Sequence, residues 1–210
     1  MPGVPGIFLP EQVAGWKKIV DAVKAKGSYF YLQLWHAGRA TIPQMTGSPA
    51  VAPSAIPWDD PNEPYTHPPV GADAPPLYAD YPPIELSHEH IKRTIQDYCN
   101  AAKKGMEIGF DGVEIHCGNG YLPEQFLSSN INKRTDEYGG TPEKRCRFVL
   151  ELIDALADAI GEENLALRFS PFGLYNQARG EQRVETWTHL CREVKARHPN
   201  LSFVDFIEPV

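Results

Sequence analysis

Gly109-Phe110-Asp111-Gly112-Val113-Glu114-Ile115-His116-Cys117-Gly118-Asn119-Gly120-Tyr121-Leu122 decides the reading of this chain. Phe110 to His116 is a short apolar run that ends in polar side chains, as a buried strand does where it emerges at the rim of a sheet. Gly118 and Gly120 ease a sharp turn just past its tip. His116, Asn119 and Tyr121 fall within six positions, so a rigid platform offers an imidazole, an amide and a phenol to one pocket. Two donors converging on one oxygen polarise a carbonyl, and a phenol beside them can deliver a proton as a general acid. The same spacing also suits a His and an Asn that satisfy a loop backbone, with the Tyr in the core.

Outward from this strand the pattern alternates. Val13, Trp16, Val20 and Val23 recur at spacings of three and four between Pro10 and Gly27, which predicts an amphipathic helix over 10–26. Tyr29 to Trp35 follows as an aromatic-rich strand. Ser87, an N-cap, precedes a helix marked by Ile91, Ile95, Tyr98 and Ala102. Thr141 and Pro142 open a third, running through Phe148, Leu152, Ala155 and Ala159 to Gly161. The strand Leu165–Ser170, a helix carrying Trp187, Leu190 and Val194, and the strand Ser202–Ile207 complete the series.

Four strands alternating with helices imply a parallel sheet, either open or closed into a barrel. No Gly-x-Gly-x-x-Gly follows a strand, and Gln33, His116 and Arg168 stand at strand ends, as on the catalytic face of a barrel. A complete barrel takes about 250 residues and eight strands. The expected fold is therefore α/β, a partial TIM (β/α)8 barrel, in one domain over 1–210 with a Pro-rich excursion at 40–86. Between Pro43 and Pro83 lie 12 of the 20 prolines, which excludes helix interiors and central strands there. A segment of that length is either a functional lid or disordered.

Hydrophobic residues make up 42% of the 210 and charged residues 22%, ordinary globular usage that excludes disordered and fibrous classes. Lys and Arg number 20 against 27 Asp and Glu, the wrong sign for binding nucleic acid or an anionic membrane. No window approaches the roughly 18 apolar residues of a membrane span. The opening Met1-Pro2-Gly3-Val4-Pro5-Gly6 has no basic segment followed by an apolar one, and a cytoplasmic protein is expected. Cys99, Cys117, Cys146 and Cys191 are too widely spaced for a zinc finger and read as reduced thiols. His88-Glu89-His90 places two His on different sides of a helix with no third ligand at useful spacing. Glu114 and His116 share one side of a strand, as in some metal hydrolases, but no Asp or His on the other strands completes a set, so no metal is expected.

The stretch Gly109–Tyr121, continued by Gln125-Phe126-Leu127 and Asn132-Lys133-Arg134-Thr135-Asp136-Glu137-Tyr138-Gly139-Gly140, closely resembles the old yellow enzyme family of flavin-dependent ene-reductases. The likeness extends to Gln33-Leu34-Trp35-His36-Ala37-Gly38-Arg39 and to Leu167-Arg168-Phe169-Ser170-Pro171-Phe172-Gly173, in the family's order, and is greatest to fungal NADPH dehydrogenases. The resemblance implies an FMN-bearing barrel that takes hydride from NADPH and passes it to the activated C=C bond of an α,β-unsaturated carbonyl compound. By position it implies that His116 and Asn119 bind the substrate's carbonyl oxygen and that Tyr121 protonates its α-carbon. Gln33 and Arg168 would contact the flavin's pyrimidine edge, and Trp35 would line the substrate pocket. Asn132–Gly140, charged and turn-rich, is expected to brace the loop and the helix after it.

The resemblance also implies that only the third to sixth barrel strands are present, with the FMN phosphate site on strands beyond them. Such a half barrel leaves two edges unpaired, and limited stability in isolation is expected. The partner implied is a small-molecule enone, and a homo-oligomer is compatible with the reading. The alternative is a non-catalytic α/β remnant or binding module that no longer holds FMN.

Overall fold

Helices and strands alternate through the described residues, 4–67 and 71–208, of the computed structural model; residues 1–3 of the opening stretch, 68–70 of the excursion and 209–210 lie outside them. The elements are α1 (Pro10–Lys24), β1 (Tyr31–Leu34), α2 (Pro43–Thr46), β2 (Val51–Ala52), β3 (Ile84–Glu85) and α3 (His88–Ile108). After these come β4 (Gly112–His116), α4 (Leu122–Leu127), α5 (Pro142–Ile160), β5 (Leu165–Phe169), α6 (Arg183–Arg197) and β6 (Phe203–Phe206). Strands β1, β4, β5 and β6 form one parallel sheet in that order. Sequence neighbours within the sheet are spatial neighbours, as a βα series winding in one direction requires.

Side chains alternate across each strand. Leu32, Leu34, Val113, Ile115, Leu165, Leu167 and Phe169 share one face and are buried, with α3 packed on β1 and β4 and α5 on β5. The other face carries Gln33, Glu114, His116, Arg168 and Asp205. Its floor is Tyr31, whose ring meets Phe203 at 5.3 Å and whose hydroxyl lies 2.6 Å from Ser202 Oγ. Three strand spacings separate β1 from β6, about 14 Å in a flat sheet, so the contact requires both side chains to reach inward over β4 and β5. Gly112 makes room, since a Cβ there would stand 2.3 Å from the Tyr31 ring.

The helix ends follow the expected chemistry. Ser87 Oγ accepts from His90 N at 3.2 Å and Thr141 Oγ1 from Lys144 N at 3.4 Å, each satisfying an amide that the first turn leaves unpaired. Gly109 closes α3 at φ 101°. The strand expected over 29–35 contracts to Tyr31–Leu34, and Tyr29 before it is 84% exposed. Helix α4 was not expected: all six of its residues are buried, so it has no polar face and no legible period.

The Pro-rich excursion is ordered in its described part. It returns over the strand tips through two short strands, β2 pairing parallel with β3, and forms its own small core of Ile42, Trp58, Tyr65 and Tyr78. Trp58 and Tyr78 stack at 4.0 Å. Two buried arginines fasten it to the barrel side. Arg39 donates to the carbonyls of Ile56 and Pro57 at 3.2 and 3.0 Å and lies over the Trp58 ring. Arg134 donates to the carbonyls of Pro53 and Leu86 at 2.9 and 2.6 Å while its fork grips Asp136.

Asn132–Gly140 is the brace expected of it. Asn132 Nδ2 donates to the carbonyls of both Phe126 and Tyr138, and Arg145 of α5 donates to those of Leu127 and Gly140. The spacing argument that left His88 without neighbouring ligands is corrected by the fold. Asp136 and Glu137 come within 3.0 and 3.5 Å of its Nε2, and this is the one cluster of metal-capable side chains among the described residues. Asp136 is already held by the Arg134 guanidinium.

Candidate active site

His116 ends β4 on the open face, and the next amide, Cys117 N, donates to Arg168 O at 2.9 Å, binding the tip to β5. Burial, with the Arg168 cation adding to it, lowers the imidazole to about 4. The ring is therefore neutral at pH 7. Since the unfolded chain takes up this proton near pH 6.5 and the folded one does not, the site loses stability as pH falls from there towards 4. Nδ1 finds no hydrogen-bond partner among the described residues, an orphaned buried polar atom of the kind that native proteins reserve for a ligand or water.

The turn beyond it is left-handed. Asn119 and Gly120 both adopt positive φ, 55° and 66°, a region that Asn and Gly enter more readily than other residues. Asn119 N donates to Ser170 Oγ at 2.6 Å, and Asn119 O accepts from Asn176 Nδ2 at 2.8 Å. A Cβ on Gly120 would lie 2.4 Å from the Tyr175 carbonyl oxygen. Gly120→Ala is expected to lower stability by about 1–3 kcal/mol and to displace the turn; denaturant unfolding and ligand affinity, measured together, check it.

Tyr121 is the N-cap residue of α4. Its ring meets Trp35 edge-on at 4.9 Å and His116 at 5.4 Å. Asn176 hydrogen-bonds the phenol, while burial raises its pKa above the ordinary value, so the hydroxyl keeps its proton at neutral pH. Tyr65, Tyr78 and Tyr175 join Trp35 and Tyr121 around a small cleft, and two of those tyrosines come from the excursion. Gln125 explains why distant motifs meet here. It accepts from Arg39 N at 3.1 Å and donates to Ala37 O and Gly120 O at 3.1 and 2.8 Å, and only a glycine at position 38 leaves it room.

The structure thus brings His116, Tyr121 and Trp35 into contact, with Asn119 in the same turn. Gln33 and Arg168 are on the same face but do not join that group. Gln33 lies one row lower, donating to Glu114 Oε2, and Arg168, beside His116 in register, pairs with Asp205 at 2.8 Å. Asp205 is the strand acid that the metal-hydrolase reading lacked, but its carboxylate is spent on Arg168, and no third donor joins Glu114 and His116 among the described residues. An amide and a guanidinium on one concave face suit a flat ring edge bearing N–H and C=O groups, which is the chemistry of the FMN pyrimidine edge. The donor set therefore fits FMN. Sequence reasoning missed Asn176, Glu124 and the excursion's tyrosines; only Glu124 adjoins the quoted motifs, falling between Gly109–Tyr121 and Gln125–Leu127.

A profile of the NADH:flavin oxidoreductase / NADH oxidase family matches residues 1–210. The chain belongs to this family. A flavin oxidoreductase, hxnT, of Emericella nidulans is 44% identical over 99% of the chain and 52% of its own length. The 12-oxophytodienoate reductase 1 of Oryza sativa subsp. japonica is 36% identical over 99% of the chain and 52% of its own length. Among solved structures, the old yellow enzyme homologue of Zymomonas mobilis superposes with a TM-score of 0.86 at 30% identity, over 97% of this chain and 54% of that one. A morphinone reductase variant in complex with tetrahydroNAD gives 0.88 at 36% identity, over 98% and 56%. This flavin oxidoreductase family chain spans about half the length of the curated relatives it matches, and its four-stranded parallel sheet is part of the old yellow enzyme barrel.

Proposed function

We propose that this chain carries the substrate-side half of an FMN-dependent ene-reductase that takes reducing equivalents from NADPH and reduces the activated C=C bond of α,β-unsaturated carbonyl compounds. One observation supports the reading above the others: a neutral, buried imidazole with an unpartnered nitrogen stands beside a protonated phenol on one concave face. Gln33 and Arg168 would hold FMN at its pyrimidine edge. Bound there, FMN would supply the two-electron chemistry, accepting hydride from the nicotinamide and delivering it to the substrate's β-carbon.

The chain's own residues do the rest. His116 and Asn119 donate to the carbonyl oxygen and draw charge from the β-carbon, as paired donors aimed at a developing oxyanion do. A neutral His suits this task, because it donates without competing for the proton the reaction needs. Tyr121 Oη transfers its proton to the α-carbon, and the phenolate left behind is stabilised by the Asn176 side chain until solvent returns the proton. Trp35 and the tyrosines of the cleft pack the substrate and exclude water.

His116→Ala or Asn119→Ala is expected to weaken binding of a phenol, whose oxygen imitates the enolate, by about 1.5–3 kcal/mol for each charge-assisted hydrogen bond removed. Titration of the flavin absorbance with the phenol checks it, and unchanged affinity removes the oxygen clamp. The function itself is tested by purifying the protein with added FMN and recording its visible spectrum, then assaying NADPH oxidation with an enone. Flavin bands and enone-dependent turnover support the reading. Colourless protein assigns the chain to a binding module that has lost its cofactor.

A further inference from the structure

Beneath the turn that carries Asn119 and Tyr121 lies an acid that the roles above do not use. Glu124 of α4 is only 2% exposed. Its Oε2 accepts from Gly120 N at 2.7 Å and from Ser170 Oγ at 2.8 Å, and Ser170 Oγ accepts in turn from Asn119 N at 2.6 Å. One carboxyl oxygen therefore gathers both left-handed residues of the turn, Gly120 directly and Asn119 through a hydroxyl. A buried carboxyl is an expensive way to fill space. Here both hydrogen bonds of the carboxylate go to the two segments whose tips form the site.

We propose that Glu124, acting through Ser170 and the Gly120 amide, is the positioning residue that holds Asn119 in register with His116 for binding the substrate oxygen and, on the same turn, Tyr121 for protonating the α-carbon. The proposal rests on the ene-reductase reading of the same site. It carries a consequence for pH. Burial raises the carboxyl to about 7 against the opposing pull of the Gly120 amide, Ser170 and Arg183. The groups facing it are those three, from the turn, the end of β5 and the start of α6, together with the Cys117 thiol at the end of β4. That thiol is pushed up by burial and by Glu124 itself and stays protonated. The Arg183 guanidinium is committed to the carbonyls of Pro171 and Gly173. Glu124 is thus protonated below about 7 and ionised above it, and the ionised form is the stronger acceptor for an amide and a hydroxyl. The turn tightens, and enone binding with it, as pH rises through that value.

The probe is 2-cyclohexen-1-one, which does not titrate, measured against the flavin-loaded enzyme between about pH 6 and 8. Its Kd is expected to fall about fivefold over that range in the wild type and to be flat in Glu124→Gln. Glu124→Ala and Ser170→Ala are expected to raise Kd about tenfold or more at every pH. A Glu124→Gln variant that keeps the wild-type pH dependence overturns the proposal, and that variant decides the matter alone should the alanine variants fail to fold. Protection of the Asn119 and Gly120 amides from hydrogen exchange, read without any ligand, separates the proposal from the reading it rests on. A wild type that binds no enone but loses protection below pH 7, where Glu124→Gln does not, supports the strut and overturns the ene-reductase reading. Identical protection profiles in the two proteins overturn the strut.

Discussion

Tyr121→Phe is expected to slow alkene reduction by about 10²–10⁴-fold, the usual contribution of a positioned general acid, while reduction of bound flavin by NADPH stays nearly unchanged. The asymmetry follows from the site. The phenol enters only when the α-carbon needs a proton, and Phe keeps the ring that packs on Trp35 and His116. Binding of the enone should be little altered, because the oxygen clamp is made by His116 and Asn119. Rapid-mixing measurements of the two half-reactions separate the outcomes. Equal loss in both would show that Tyr121 serves the architecture and not the proton.

The second large effect is on stability. Arg134→Ala is expected to lower the unfolding free energy by about 2–6 kcal/mol, about 1–3 kcal/mol for each of two buried carbonyls that lose their donor. The side chain is 4% exposed, and its guanidinium serves two carbonyls of the excursion, those of Pro53 and Leu86, and Asp136 together. Its loss leaves those carbonyls buried without a donor. Arg134→Lys should stay close to the alanine variant, since an ammonium cannot reproduce the planar fork. Denaturant unfolding measures the first effect, and limited proteolysis within residues 40–86 reports release of the excursion. Wild-type stability in Arg134→Ala would mean that the excursion's own aromatic core holds it in place.

The strands were legible as short apolar runs that end in polar side chains, and the long helices by apolar residues at spacings of three and four. Gly112–His116 is buried throughout, with Val113 and Ile115 towards the helices and Glu114 and His116 towards the concavity. Caps at Ser87 and Thr141 were equally readable, being local chemistry. Helix α4 was not, because Leu122–Leu127 is buried on all sides. In the site, His116, Asn119 and Tyr121 were found because they share one turn. Asn176 was not: its contacts with Asn119 and Tyr121 join segments 57 positions apart, and nothing in the Leu174–Gln177 segment announces them. The order of the excursion was hidden for a related reason, since prolines state only what a segment avoids, whereas its anchors, Arg39 and Arg134, lie outside the proline-rich stretch.

The tyrosine floor bears on the order in which the sheet assembles. The contact between Tyr31 and Ser202 joins residues 171 positions apart, and closing so long a loop directly is entropically unfavourable. Each neighbouring strand pair, by contrast, is joined by one shorter crossover, and every pair formed shortens the path to the next. Tyr31 therefore settles onto Phe203 only after β4 and β5 have bridged the gap beneath it. The ring acts as a latch on a sheet already wound, and it leaves the concave face shaped before any cofactor arrives.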